Sequence, residues 1–140
     1  MLLKSTMEVK LKFRGLIFPV AVLLLVGLAP ISHAANVTGI SAAVHPSNNW
    51  DGRCPHTFQF AGDIVTRGRG EVRYVWERSD RARGEVKVLH PRGGEERFRV
   101  IDDWTLSLPR HGSFHGFEVL HILYPINIRS NHARFDLYCR

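Results

Sequence analysis

The sequence predicts an all-β protein: a sandwich of seven short antiparallel strands behind a secretory signal peptide, with a small β-barrel as the second choice. Three observations predict it. Apolar residues after residue 35 recur with period two, and no stretch keeps an i, i+3, i+4 spacing over three helical turns. Clusters of Gly, Pro and Asn punctuate these alternating runs. The first 34 residues read as an export signal and not as part of a domain.

That signal begins with Lys4, Lys10, Lys12 and Arg14 against the single acid Glu8. An apolar run follows over 16–29, Pro30 breaks it, and Ser32-His33-Ala34 supplies small residues at the third and first positions before a cut. The run has 14 residues, where a membrane-spanning helix needs about 20. An uncleaved anchor is the alternative. Cleavage after Ala34 divides the chain into a signal peptide, 1–34, and one domain, 35–140. Four of the 19 basic residues and one of the 13 acidic residues leave with the signal, so a net charge of +6 falls to +3. The expected compartment is the periplasm or the medium, with no membrane span in the mature chain.

The first strand is expected over 37–45, with Ile40, Ala42 and Val44 on one face. Residues 45–52, His-Pro-Ser-Asn-Asn-Trp-Asp-Gly, read as a loop. The second strand, 55–66, turns Phe58, Phe60 and Ile64 inward. Arg67-Gly68-Arg69-Gly70 reads as a hairpin turn into a third strand, 71–79, with Tyr74 and Trp76 inward. Val86 and Val88 mark a short fourth strand. The fifth, 96–108, alternates Phe98, Val100, Trp104 and Leu106 against Arg97, Arg99 and Asp103. Asp102 falls on its apolar face, which predicts a bulge or an end-on position. The sixth, 115–124, is apolar on both faces and therefore central. The seventh, 131–139, turns Ala133, Phe135, Leu137 and Cys139 inward and His132, Arg134 and Asp136 outward. Seven such strands in a domain of this size match an immunoglobulin-type sandwich. Its expected core includes Phe58, Phe60, Tyr74, Trp76, Trp104 and Phe135.

Cys54 opens the second strand and Cys139 closes the last. In an exported chain the pair is expected to form one disulfide, with Trp76 packed near it in the core. A redox-active pair would ordinarily place its cysteines close in sequence.

The segments Cys54-Pro55-His56-Thr57-Phe58-Gln59-Phe60-Ala61-Gly62-Asp63-Ile64 and Gly70-Glu71-Val72-Arg73-Tyr74-Val75-Trp76-Glu77-Arg78-Ser79-Asp80, the later Trp104, and the closing Ala133-Arg134-Phe135-Asp136-Leu137-Tyr138-Cys139 carry a resemblance. The chain is similar to a group of small exported bacterial proteins and domains with an immunoglobulin-like sandwich and no assigned activity. The resemblance spans nearly all of the mature chain and implies fold and compartment. It carries over no functional residue. Arg81 departs from the pattern, which has Gly after Ser-Asp and so a tighter turn.

Catalytic patterns are missing: there is no Gly-x-Ser-x-Gly, and the adjacent acids Asp102-Asp103 and Glu95-Glu96 point to opposite faces of a strand. No catalytic residue and no cofactor are expected. The weak metal candidates are His111 and His115, four apart in a Gly-containing loop that fixes no geometry. On one strand His115 and His121 lie about 20 Å apart, too far to share an ion. A metal-binding protein or hydrolase that uses loop histidines with Asp102 or Asp103 is the first alternative. Fourteen of the 15 mature basic residues are Arg, which marks Arg67, Arg69, Arg73, Arg78, Arg81 and Arg83 as a candidate ligand surface or, equally, reflects genome composition. The expectation is a non-catalytic binding or structural module. An envelope or extracellular protein or an anionic glycan is its candidate partner, and nucleic acid is excluded by the modest charge and the compartment. A subunit that pairs through an edge strand is the second alternative.

Overall fold

The computed structural model describes residues 34–140, so the expected signal peptide lies outside the described residues except for Ala34. Nine strands follow in order: β1 (Asn36–His45), β2 (Asn49–Gly52), β3 (His56–Arg69), β4 (Val72–Arg78), β5 (Lys87–Leu89), β6 (Arg92–Leu106), β7 (Ser113–Tyr124), β8 (Ile128–Arg129) and β9 (Ala133–Cys139). Among the described residues they form two sheets and no closed barrel. The first has the order β1-β3-β6 and the second β2-β9-β7-β4-β5, with β8 pairing β7. All pairings are antiparallel except β2 with β9, which is parallel. Among the described residues no helix is long and apolar enough to cross a membrane.

The alternation of apolar and polar residues sets the packing. In β9 every second residue, from Ala133 to Cys139, is buried and every other one is exposed. β7 is buried on both faces from Glu118 to Ile122, where its outward Val119 and His121 are covered, while Ser113 and His115 nearer its start are exposed. Phe58, Phe60, Tyr74, Trp76, Trp104 and Phe135 meet between the sheets with Ile64, Leu120, Ile122 and Leu137. Phe135 is the hub, with ring centroids 4.3 Å from Phe58 and 5.2 Å from Trp104. Trp76 lies 6.4 Å from Phe60. It also packs over Gly62, where an added Cβ would come within 3.1 Å of the indole and 2.6 Å of Leu120.

The disulfide joins Cys54 to Cys139 with a Cα–Cα distance of 5.5 Å. It ties the lead into β3 to the end of β9 and so links the two sheets. Closing a loop of 85 positions restricts the unfolded chain enough to stabilise the fold by about 4–5 kcal/mol on the chain-entropy argument.

Among the described residues nine strands stand where the sequence predicts seven antiparallel ones, the additional ones being β2, which pairs in parallel, and the two-residue β8. Three local expectations are also corrected. The stretch expected as a loop over 45–52 contains β2, whose Asn-Trp-Asp-Gly composition disfavours a strand but which gains a full ladder from β9. The Arg67-Gly68-Arg69-Gly70 segment is not a hairpin. β3 runs to Arg69 in the first sheet and β4 begins at Val72 in the second, so the chain crosses between sheets there. Gly68, at φ 90°, takes a left-handed conformation at the register shift between Arg67 and Arg69. Asp102 causes no bulge. It pairs with Phe60 in an unbroken ladder and lies half-buried on the inner face between Val100 and Trp104.

Candidate functional site

The outer face of the second sheet carries the densest set of exposed functional groups, and strand register assembles it. Asp136 on β9 is flanked by Asn49 on β2 and His115 on β7. Tyr138 is flanked in the same way by Asp51 and Ser113. Arg134 is opposite Phe117. Residues two apart on a strand share a face, so Arg134, Asp136 and Tyr138 stand in a row on β9, beside β7 throughout and beside β2 from Asp136 onward.

Each member of this set has a defined partner. His115 Nδ1 donates to Asp136 Oδ1 at 2.5 Å. With its amide nitrogen turned toward Asp136, Asn49 donates to Oδ2 at 3.1 Å. Arg140 donates to both oxygens of Asp51, at 2.6 Å through Nε, and this pairing raises the guanidinium pKa. Tyr138 Oη lies 3.3 Å from His111 Nδ1. Phe117 stacks on His132 with centroids 4.1 Å apart, and the Arg134 guanidinium lies 5.7 Å from the Phe117 ring centre.

Two depressions share His115 and Asp136 as a common wall. One, of about 200 Å³, extends past Phe117 and Arg134 to Ser79. The other, of about 270 Å³, extends past Asn49 and Ser113 to Trp50 and Tyr138. Trp50 is 38% exposed and Tyr138 39%. Trp50, between the outward Asn49 and Asp51 and paired with buried Leu137, turns its indole to the inner side of the sheet edge, where it stacks on His56 of β3 at 4.0 Å and its Nε1 donates to the Arg53 carbonyl at 3.2 Å.

The His115–Asp136 pair resembles the base and orienting acid of a hydrolytic site, but no nucleophile completes it. Ser79 lines the same depression, yet its Oγ accepts from the Phe117 amide at 3.2 Å. Among the described residues no Ser hydroxyl is hydrogen-bonded to His115. His111 and His115 share this face and bond to different partners. Asp102 and Asp103 lie on β6 in the other sheet. Among the described residues no group of three or more His, Cys, Asp or Glu is arranged to hold a metal ion.

The six candidate arginines do not converge. Arg67 pairs with Glu95 at 3.1 Å, and Arg69 donates to the Arg92 carbonyl at 3.0 Å. Arg73 pairs with Glu71. Arg78 binds Asp80 at 3.4 Å while its guanidinium lies 4.6 Å from the centre of Trp104. Arg83 pairs with Glu77, and Arg81 occupies a left-handed turn position at φ 72°. Arg67 and Arg69 end β3, whereas Arg78, Arg81 and Arg83 lie at and beyond the far end of β4.

Two charged clusters escaped the reading of the sequence. Glu77 accepts from Arg83, His121 and Arg129, and these bonds outweigh its burial and hold its pKa down to about 2. His121 also contacts Asn127 Oδ1 through Nε2 at 2.7 Å, so both ring nitrogens meet an oxygen. Glu118 is fully buried on the inner face of β7, and neither carboxyl oxygen has a hydrogen-bond partner. Burial, assisted by the charge on Asp102 and opposed by Arg78, raises its pKa to about 8. A charged residue at an inward position of an otherwise apolar strand was the available signal for Glu118.

Comparison with protein-family models, with curated proteins and with solved structures returns no match to this chain.

Proposed function

We propose that the chain is an exported, non-catalytic binding module of the immunoglobulin-like class, and that it binds through the outer face of β2, β9 and β7. The three-stranded β1-β3-β6 sheet facing a β2-β9-β7-β4-β5 sheet supports the class. The Cys54–Cys139 disulfide supports an oxidising compartment.

One observation carries the choice of surface: the depression beside exposed Tyr138, edged by Asn49, Asp51, His115 and Asp136. An exposed aromatic ring beside fixed hydrogen-bonding groups suits a ligand with one apolar face and a polar periphery. A neutral sugar ring has that chemistry. An anionic glycan fits this face less well, because Asp51 and Asp136 line the depression, Arg140 is already paired with Asp51, and the six candidate arginines lie elsewhere.

Trp50 is the exposed tryptophan, while Trp76 and Trp104 are buried, and it adjoins Asn49 and Asp51 at the rim of the depression, so its fluorescence reports on the neighbourhood of the site. Titration with a neutral N-acetylglucosamine tetrasaccharide is expected to change the emission in a saturable way. Tyr138→Ala, which keeps the Trp50 reporter, is expected to remove that change and leave the fold intact. An emission that stays constant in the unmodified protein overturns the sugar-binding reading.

A further inference from the structure

The first sheet presents a different kind of surface. Among the described residues β6 pairs with β3 along one edge and with no strand along the other. β6 is 15 residues long, and a free edge of that length ordinarily invites another strand unless proline, a bulge or like charge blunts it. From Phe98 to Trp104 there is no proline and no register shift.

The charges along this edge are complementary to themselves. The outer face reads Arg97, Arg99, Ile101, Asp103, Thr105: a basic half, an apolar centre and an acidic half. Arg97 and Arg99 share the single carboxylate of Asp63, at 3.6 and 3.3 Å, which leaves positive charge in surplus. Asp103 forms no ion pair among the described residues. Ile101 is 47% exposed at the midpoint. An antiparallel partner with the same sequence lays each half against its opposite.

We propose that β6 pairs antiparallel with β6 of a second copy of this chain, about a two-fold axis through Ile101. In that register the two Ile101 side chains cover one another, and each Arg99 stands opposite Asp103 of the other copy. On the inner face Phe98 stands opposite Trp104 of the other copy. Neighbouring registers are worse. An axis through Arg99 opposes the two Arg99 side chains, and an axis through Asp102 opposes two carboxylates. An axis through Val100 keeps an Arg97–Asp103 pair but sets Phe98 against Asp102 and Ile101 against Arg99, whereas the axis through Ile101 sets only Val100 against Asp102. The product is one continuous six-stranded sheet with closed two-fold symmetry, and the free edge disappears. It lies on the opposite sheet from the proposed binding face, so either assignment stands or fails without the other.

Sedimentation of the protein purified from cells that express the full chain, over a dilution series at low salt, tests the pairing. The unmodified protein is expected to form dimers. Arg99→Asp and Asp103→Arg, both at exposed positions, each set like charges opposite one another and are expected to weaken self-association about tenfold or more. Mixing the two variants restores opposite charges at both contacts, so the mixture is expected to form a heterodimer that neither variant forms alone. A monomer throughout the series overturns the proposal. So do variants that dimerise as well as the unmodified protein, or a mixture that stays monomeric.

Discussion

His115 Nδ1 lies 2.5 Å from Asp136 Oδ1 across the β7–β9 ladder, and this bond divides the outer face of the second sheet into two depressions. It fixes the imidazole so that Nε2 is left for other partners. The hydrogen-bonding edge of the site is thus set by a direct cross-strand pair on a rigid sheet and not by a loop.

Asp136→Ala therefore separates binding from stability. Both side chains are mainly exposed, and exposed ion pairs contribute about 0–1 kcal/mol. The urea midpoint is expected to move little. The Trp50 fluorescence response to the tetrasaccharide is expected to be lost, because His115 and Asn49 lose the acceptor that orients them. A response of unchanged amplitude and midpoint counts against the role assigned to this pair.

Glu118 predicts an unusual pH dependence. Its folded pKa is about 8 against an ordinary value of 4.5, so the native state keeps a proton that the unfolded state gives up. Stability therefore falls as pH rises from about 4.5 to 8, with a limiting slope of about 1.4 kcal/mol per pH unit. Asp102, raised by its own burial, acts in the same direction. Glu77 acts oppositely and only below 4.5, where stability is lost as its carboxylate is protonated toward pH 2. Glu118→Gln keeps the shape and removes the proton. Its urea midpoint is expected to exceed that of the unmodified protein at pH 8 and to vary less between pH 5 and 8. Parallel profiles for the two proteins would contradict the account.

The turn after β4 is strained by one side chain. Arg81 N donates to the Arg78 carbonyl at 3.0 Å, and Asp80 Oδ1 accepts from the Ala82 amide at 2.9 Å. This geometry leaves Arg81 at φ 72°, a conformation that glycine adopts without steric cost. Arg81→Gly is expected to raise stability by about 0.5–1 kcal/mol, read as a higher urea midpoint with an unchanged slope. A lower midpoint would show that the arginine side chain contributes more than its backbone costs.

The disulfide restricts the unfolded chain, so Cys54→Ala with Cys139→Ala is expected to cost up to about 4–5 kcal/mol. The loss should appear as a lower denaturation temperature and as faster proteolysis of the last strand. Equal denaturation temperatures for the bridged and substituted proteins would contradict the assigned role.

The legible parts of the fold were those in which one strand's own alternation decides its faces. β9 is the clearest case, with Ala133, Phe135, Leu137 and Cys139 buried and Arg134, Asp136 and Tyr138 outside. What escaped was written between strands. Asn49-Trp50-Asp51-Gly52 has turn composition and becomes extended only against β9. Arg67 to Gly70 has hairpin chemistry, but the strands on either side of it belong to different sheets. The site follows the same division. His115 and Asp136 were individually visible as polar strand residues, but their bond needs the β7–β9 register, which local pattern does not encode. The arginines drew notice by number, and their partners, Glu95, Glu71, Asp80 and Glu77, were set by turns and pairings that composition does not reveal.

The central claim, that the outer face of β2, β9 and β7 is the binding surface, is tested most directly by mapping amide and indole NMR shifts during titration with the neutral tetrasaccharide. The account predicts saturable changes confined to Asn49–Asp51, Ser113–His115 and Asp136–Tyr138, led by the amides of Asp136 and Tyr138. Shifts centred on the turns that carry Arg67 and Arg81, or no shifts at all, would contradict it.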